Sequence, residues 1–180
     1  MFLRSLQTLG LIGGKYCIVM NVSDNSFLLD RIDRRLIKAL QPDAKASLAV
    51  LAGRVHLSQA QVHRRIRRLE EAGVLAGYSA QVDREMLGLD VVAFVGFSLA
   101  AEQNKRLREV EKQINSYAHV LEVYTVSGEH DYLVKVVASD LKALSGFLSE
   151  HLMQIPGVLN VKTTICLEEL KNTTALPVDE

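Results

Sequence analysis

"LSQAQVHRRIRRLEEAG", Leu57 to Gly73, places four arginines within five positions: Arg64, Arg65, Arg67 and Arg68. An arginine run taken alone is most often a solvated helix face, so its surroundings decide the reading. Ser58 and Gln61 stand three apart, the spacing of a capping box, in which hydroxyl and carboxamide each satisfy an orphan backbone N–H. A helix therefore starts at Ser58, and Gly73 ends it. Upstream, Asp30 is placed to cap a helix carrying Ile32, Leu36, Ile37 and Leu40, which Pro42 and Asp43 stop. Ser47 caps a second helix with Leu48, Leu51, Ala52 and Val55 on it. About three residues separate this helix from the third. Two short helices joined so tightly behind a supporting first one make a helix-turn-helix.

The helical repeat puts Val62, Ile66 and Leu69 on the face that packs. Ala60, Gln61, Arg64, Arg67 and Arg68 lie opposite, with Arg65 at the flank. Arginine fits phosphates and guanine edges, and glutamine pairs with adenine. Such a helix reads bases from its N-terminal half, here Ser58 to Arg65, while Arg67 and Arg68 lie further along and are expected to meet phosphates. The expected DNA-facing set is Ser47, Ser58, Gln59, Gln61, His63, Arg64, Arg65, Arg67 and Arg68. His56 and His63 lack carboxylate or histidine partners at metal-ligand spacing and read as surface histidines, His63 within the DNA-facing set. "VLAGYSAQVD", Val74 to Asp83, alternates in character around Gly77 and is expected to form a short strand pair, or wing, and then a linker.

Charge supports two modules. The whole chain is neutral, yet Asp24 to Leu75 carries 10 Lys/Arg against 6 Asp/Glu, and Asp83 to Glu180 carries 9 against 15. Such asymmetry suggests different partners for the two parts. With 48% apolar residues among 180, the chain can build a core. Cys17 and Cys166 form no close-spaced pair and read as reduced thiols of a cytoplasmic protein. The longest apolar runs are strand length, too short for a membrane span. "MFLRSLQTLGLIGGKYCIVM" lacks the long apolar core of a secretory signal, and residues 1–23 read as a disordered extension, with Met20 an alternative start.

From Asp90 the texture changes. "VVAFVGFSLA" is a strand whose Val91, Ala93, Val95, Phe97 and Leu99 share one face, with Val92 and Phe94 on the other. A helix with Leu107, Val110, Ile114 and Tyr117 follows, then strands at Val120–Val126 and Tyr132–Ala138 around "SGEHD". A second helix carries Leu141, Leu144, Leu148 and Leu152. The last strand is "VLNVKTTICLEE", with Leu159, Val161, Ile165 and Leu167 on one face. The order β-α-β-β-α-β is the ferredoxin-like pattern. The fold class is α+β: a winged helix-turn-helix over 24–82, a ferredoxin-like domain over 83–171 and a tail over 172–180. Two helices cover one face of a four-stranded sheet, so a second copy of the chain is the economical cover for the other. A two-fold dimer also places two helices on a palindromic site.

The segments "LDRIDRRLIKAL", "LSQAQVHRRIRRLEEAGVLAGY", "VSGEHDYLVKV" and "IPGVLNVKTTICLEEL" together resemble the leucine-responsive regulator and asparagine-operon regulator family of transcription factors. The resemblance runs from about Leu29 to Lys171. It implies double-stranded DNA as a partner, dimers formed through the C-terminal domain, octamers built from them, and an amino acid bound between dimers, with no cofactor. The effector region then corresponds to Ser127, Gly128, Asp131, Leu141, Thr164, Ile165 and Cys166. Asp131 offers a carboxylate to an ammonium, and the Gly128 loop offers close backbone approach to a carboxylate. Leu141, Thr164 and Cys166 would line a side-chain pocket that is not purely aliphatic, so leucine is not implied as the effector. An enzyme is the rival reading, but no nucleophile-base order, phosphate loop or metal cluster is present, and His130 and Asp131 point to opposite strand faces. Sirohaem decarboxylases share the fold, and a sensor that does not bind DNA is a further alternative. The arginine stripe argues against both.

Overall fold

The computed structural model describes residues 27–100 and 107–179, together with the backbone of 10–12 and 15–17. The chain divides into two compact units, Met1–Tyr78 with Thr174–Glu180, and Ser79–Thr173. The expected disorder of residues 1–23 and the alternative start at Met20 fall outside the described residues. The exception is a backbone ribbon in which β1 (Gly10–Ile12) pairs antiparallel with β2 (Lys15–Cys17).

In the first unit, α1 spans Arg31–Leu40, α2 Leu48–Val55 and α3 Gln59–Glu71. Each begins where a side chain accepts the orphan N–H groups of its first turn. Asp30 accepts from the Asp33 N–H at 2.8 Å, and Asp33 accepts from the Asp30 N–H at 3.1 Å. Ser47 Oγ accepts from Val50 at 3.3 Å. Ser58 Oγ accepts from the Gln61 N–H at 3.3 Å, and Gln61 Oε1 returns the bond to the Ser58 N–H at 3.0 Å. His56 takes a left-handed conformation, φ 55°, which turns the chain out of α2 and into α3. Gly73, φ 71°, closes α3 one residue past its cap Ala72. Leu36, Leu51 and Val62 are fully buried at the junction of the three helices. Each such side chain contributes roughly 1.5–3 kcal/mol of burial. The expected wing is absent: residues 74–83 run without strand pairing among the described residues. Alternation signals a half-buried strand only when a ladder partner is present, and none among the described residues pairs with this segment.

The second unit comprises β3 (Val91–Leu99), α4 (Leu107–Asn115), β4 (Val120–Thr125), β5 (Tyr132–Ala138), α5 (Leu141–Glu150) and β6 (Val158–Ile165). The sheet order is β4-β5-β3-β6, with every neighbouring pair antiparallel. The first and third strands of the unit thus lie in the middle, as a ferredoxin-like fold requires. Ala93, Val95 and Phe97 of β3 meet Val134 and Val136 of β5 on the helix side, under Val110, Ile114, Leu144 and Phe147. Phe147, which the leucine periodicity of α5 did not single out, carries more of that contact than Leu141, which is 58% exposed.

The phase of β6 also differs from expectation. Asn160 adopts φ 53°, and the register with β3 shifts at Gly96/Ser98. This bulge inserts an extra residue, so Val158 joins Val161 against the core and Leu159 turns outward. The strand ends at Ile165, and Leu167 beyond it is 97% exposed.

On the sheet face away from the helices, Gly96 lies under the His130 ring. A Cβ at Gly96 would stand 2.4 Å from His130 Cδ2 and 2.9 Å from Cγ. Gly96→Ala is therefore expected to cost about 1–3 kcal/mol, since a partly buried ring must move. Chemical denaturation followed by circular dichroism tests this, and an unchanged midpoint would mean that the ring tilts away freely.

Candidate functional site

The four arginines of α3 separate into two pairs. Arg65 donates to Asp30 at 2.6 Å and to Asp33 Oδ1 at 2.8 Å. Arg68 donates to Asp33 Oδ2 and stacks its guanidinium over Phe27 at 5.1 Å. Asp33 is wholly buried, and its oxygens are filled by Arg65, Arg68 and the Asp30 N–H. A buried carboxylate needs such complete satisfaction. Burial alone would raise the Asp30 carboxyl, but the Asp33 N–H and the Arg65 guanidinium outweigh it and hold it below its ordinary range. In turn, the Asp30 hydrogen bond raises the Arg65 guanidinium above its usual value, against a smaller effect of burial. Arg68, expected on the solvent stripe, is thus drawn to α1 together with Arg65.

The other pair faces outward. Arg64 is exposed and has no partner among the described residues. Arg67 makes a single exposed contact with Glu71 at 3.3 Å, one helical turn on, which is worth little. Gln59, Ala60 and His63 are exposed beside them. Gln61 is exposed too, but its Oε1 is engaged by Ser58, so it cannot offer both carboxamide atoms to an adenine while the cap stands. Ser47 and Ser58 sit at helix N-termini with their hydroxyls accepting backbone N–H groups. Helix N-termini favour anions.

The seven expected effector residues do not converge within one chain. Ser127, Gly128 and Asp131 lie in the loop before β5, and Leu141 follows its far end. A seven-residue strand separates them by roughly 20 Å. Thr164 pairs with Phe94, Ile165 with Ala93, and the Cys166 N–H bonds to Val92 O, so these three belong to the Leu141 end. Asp131 has a local role as well: its Oδ2 accepts the Leu99 N–H at 2.9 Å. Cys166 is a free thiol within 3.3 Å of Glu168 O. The open sheet face carries a groove of about 730 Å³ floored by Val92, Leu121, Lys135 and Val137. Lys135 sits there between Glu122 at 3.5 Å and Glu169 at 3.9 Å. Among the described residues, no group of three His, Cys, Asp or Glu is placed to hold a metal. No helix among them is long and apolar enough to cross a membrane.

Both units match known families. Residues 29–70 match the AsnC-type helix-turn-helix domain, and residues 92–176 match the Lrp/AsnC ligand binding domain. The transcriptional regulator AzlB of Bacillus subtilis is 33% identical over 153 residues, 85% of this chain and 98% of that protein. The chain belongs to the Lrp/AsnC family of transcriptional regulators. An HTH-type transcriptional regulator of Pyrococcus abyssi, FL11, is 37% identical over 150 residues, 83% of this chain and 97% of that one. A transcriptional regulator of Neisseria meningitidis, solved in complex with L-methionine, superposes with a TM-score of 0.81 at 30% identity, covering 84% of this chain and 98% of its own. These relatives are regulators rather than enzymes, which sets aside the decarboxylase reading. Within this Lrp/AsnC regulator, the pattern of segments signalled both domains. Asp33 was not singled out beforehand, although its spacing from Asp30, a capping pair just ahead of an apolar stripe, was in the sequence.

Proposed function

We propose that this regulator binds double-stranded operator DNA in the cytoplasm as a dimer or larger assembly, and that a small amino acid tunes the binding. The observation that carries this reading is the division of labour in α3. Arg65 and Arg68 fasten the helix to α1 through Asp33, while Arg64 and Gln59 near the helix start face outward beside small Ala60. A helix locked from behind presents its outward face at a fixed angle, from which side chains can reach base edges. In this reading Arg64 and Gln59 meet bases. Arg67, His63, Ser47 and Ser58 meet the backbone, and Arg65 and Arg68 act as positioning residues.

Assembly is supported by the open sheet face, where Phe94, Leu121 and Tyr124 remain exposed. The effector reading rests on the Neisseria relative solved with L-methionine and on a Mycobacterium tuberculosis feast or famine regulatory protein also complexed with L-methionine, TM-score 0.77 at 30% identity. Because the candidate residues stand at opposite ends of β5, one copy would supply Ser127, Gly128 and Asp131, and another Leu141, Thr164, Ile165 and Cys166. The amino acid then acts by binding one assembly state better than another.

Fluorescence anisotropy against DNA from upstream of the regulator's own gene and a scrambled control, across salt and with L-methionine, tests the reading. Preference for the native fragment with affinity falling steeply in salt is expected. No binding even at low salt would refute it. Asp131→Asn keeps an acceptor for Leu99 but removes the charge that would meet an ammonium. It is expected to abolish the response to L-methionine while leaving DNA affinity and thermal stability in place. A full response in this variant would move the effector site elsewhere.

A further inference from the structure

The C-terminal tail returns to the first unit. Leu176 donates its N–H to Gln41 Oε1 at 2.5 Å, and Gln41 Nε2 donates to Leu176 O at 2.9 Å. One carboxamide thus holds both polar groups of one residue. This works because an extended residue points its N–H and C=O to the same side, as in a hydrogen-bonded pair of an antiparallel ladder. Pro177 favours that extended shape in the residue before it. Gln41 is the cap of α1 and directly precedes Pro42, so its backbone is held by the end of that helix.

The course of the chain gives the contact a use. The segment leading to the tail, Leu167 to Asn172, lines one part of the groove on the open sheet face. The incoming linker, Val82 to Leu89, lines another. Both covalent connections between the two units therefore border one groove, and Glu169 in the outgoing segment reaches Lys135 on its floor. A molecule seated in that groove would touch both connections. The two Gln41 bonds are exposed to solvent, so the contact opens easily.

We infer that Gln41 is the docking site of the chain's own C-terminal tail, a latch through which the state of the ligand-binding domain reaches the helix-turn-helix. The inference rests on the regulator reading above for its consequence, but the latch itself is measurable without DNA. Hydrogen exchange on the full chain, Gln41→Ala and a chain ending at Thr173 provides the first test. The Leu176 amide is expected to be protected in the parent and to exchange at the solvent rate in Gln41→Ala. Equal exchange in both would overturn the latch.

DNA anisotropy with and without L-methionine provides the second test. Both variants are expected to keep ligand-free affinity within about twofold while the ligand-induced change shrinks toward none. An unchanged ligand response in both variants would overturn the coupling. A parent chain that binds DNA yet ignores L-methionine would count against the effector reading, and exchange at Leu176 would still decide the latch. Circular dichroism on each variant separates loss of the latch from loss of the fold.

Discussion

Arg65→Ala is expected to destabilise the helix-turn-helix by about 3 kcal/mol, whereas Arg64→Ala leaves its stability within about 0.5 kcal/mol. The two residues are neighbours on one helix, so the contrast isolates their surroundings. Arg65 holds a carboxylate with no exposure at all, and removing it leaves Asp33 with Arg68 and one backbone N–H. Breaking a buried pair costs about 3–5 kcal/mol when the remaining charge is abandoned. The lower figure applies because Arg68 stays and because the Arg65 side chain is itself 24% exposed. The chain has no tryptophan, so urea unfolding is followed by far-ultraviolet circular dichroism. A double-mutant cycle with Asp33→Asn should return a clear coupling energy, while one with Arg64 should return none. Equal stability of Arg65→Ala and the parent, together with weakened DNA binding, would place Arg65 on the DNA instead.

Arg64→Ala is expected to weaken a specific operator by about 1–3 kcal/mol. That corresponds to roughly 5- to 150-fold in affinity. Binding to scrambled DNA should change far less. If Arg64 meets a phosphate instead, the loss is similar on both DNAs and the salt slope falls by about one. Anisotropy titrations on both fragments at several salt concentrations distinguish these outcomes. Unchanged affinity on the operator would remove Arg64 from the interface. The prediction is sharp because Arg64 is free of any partner among the described residues, so truncation removes no internal bond.

Some of this was legible from local pattern. Ser58 with Gln61, the apolar stripe of Val62, Ile66 and Leu69, and Gly73 define α3 because capping and helical periodicity act within a few residues. The order of strands and helices after Asp90 was legible for the same reason, and it fixes the ferredoxin-like topology once antiparallel neighbours pair. The expected wing is missing because alternation is local but pairing is not: residues 74–83 have the texture of a strand and no partner strand among the described residues. β6 changed phase because one left-handed residue, Asn160, shifted a two-residue period that had been extrapolated through it.

What the sequence by itself determined, then, is the type and order of α1 to α3 and of the elements from β3 to β6, and which face of α3 packs inward. Tertiary structure decided which arginines remain available, since Asp33 lies more than thirty residues from Arg65 and Arg68 and no helical period predicts that they meet. It also decided that Asp131 and Leu141, ten positions apart, stand at opposite ends of an extended strand. And it joined Gln41 to Leu176 across 135 positions. Spacing along a chain governs caps and faces, because those forces act between near neighbours. Charge pairing, pocket assembly and the latch depend on where the folded backbone brings distant residues together.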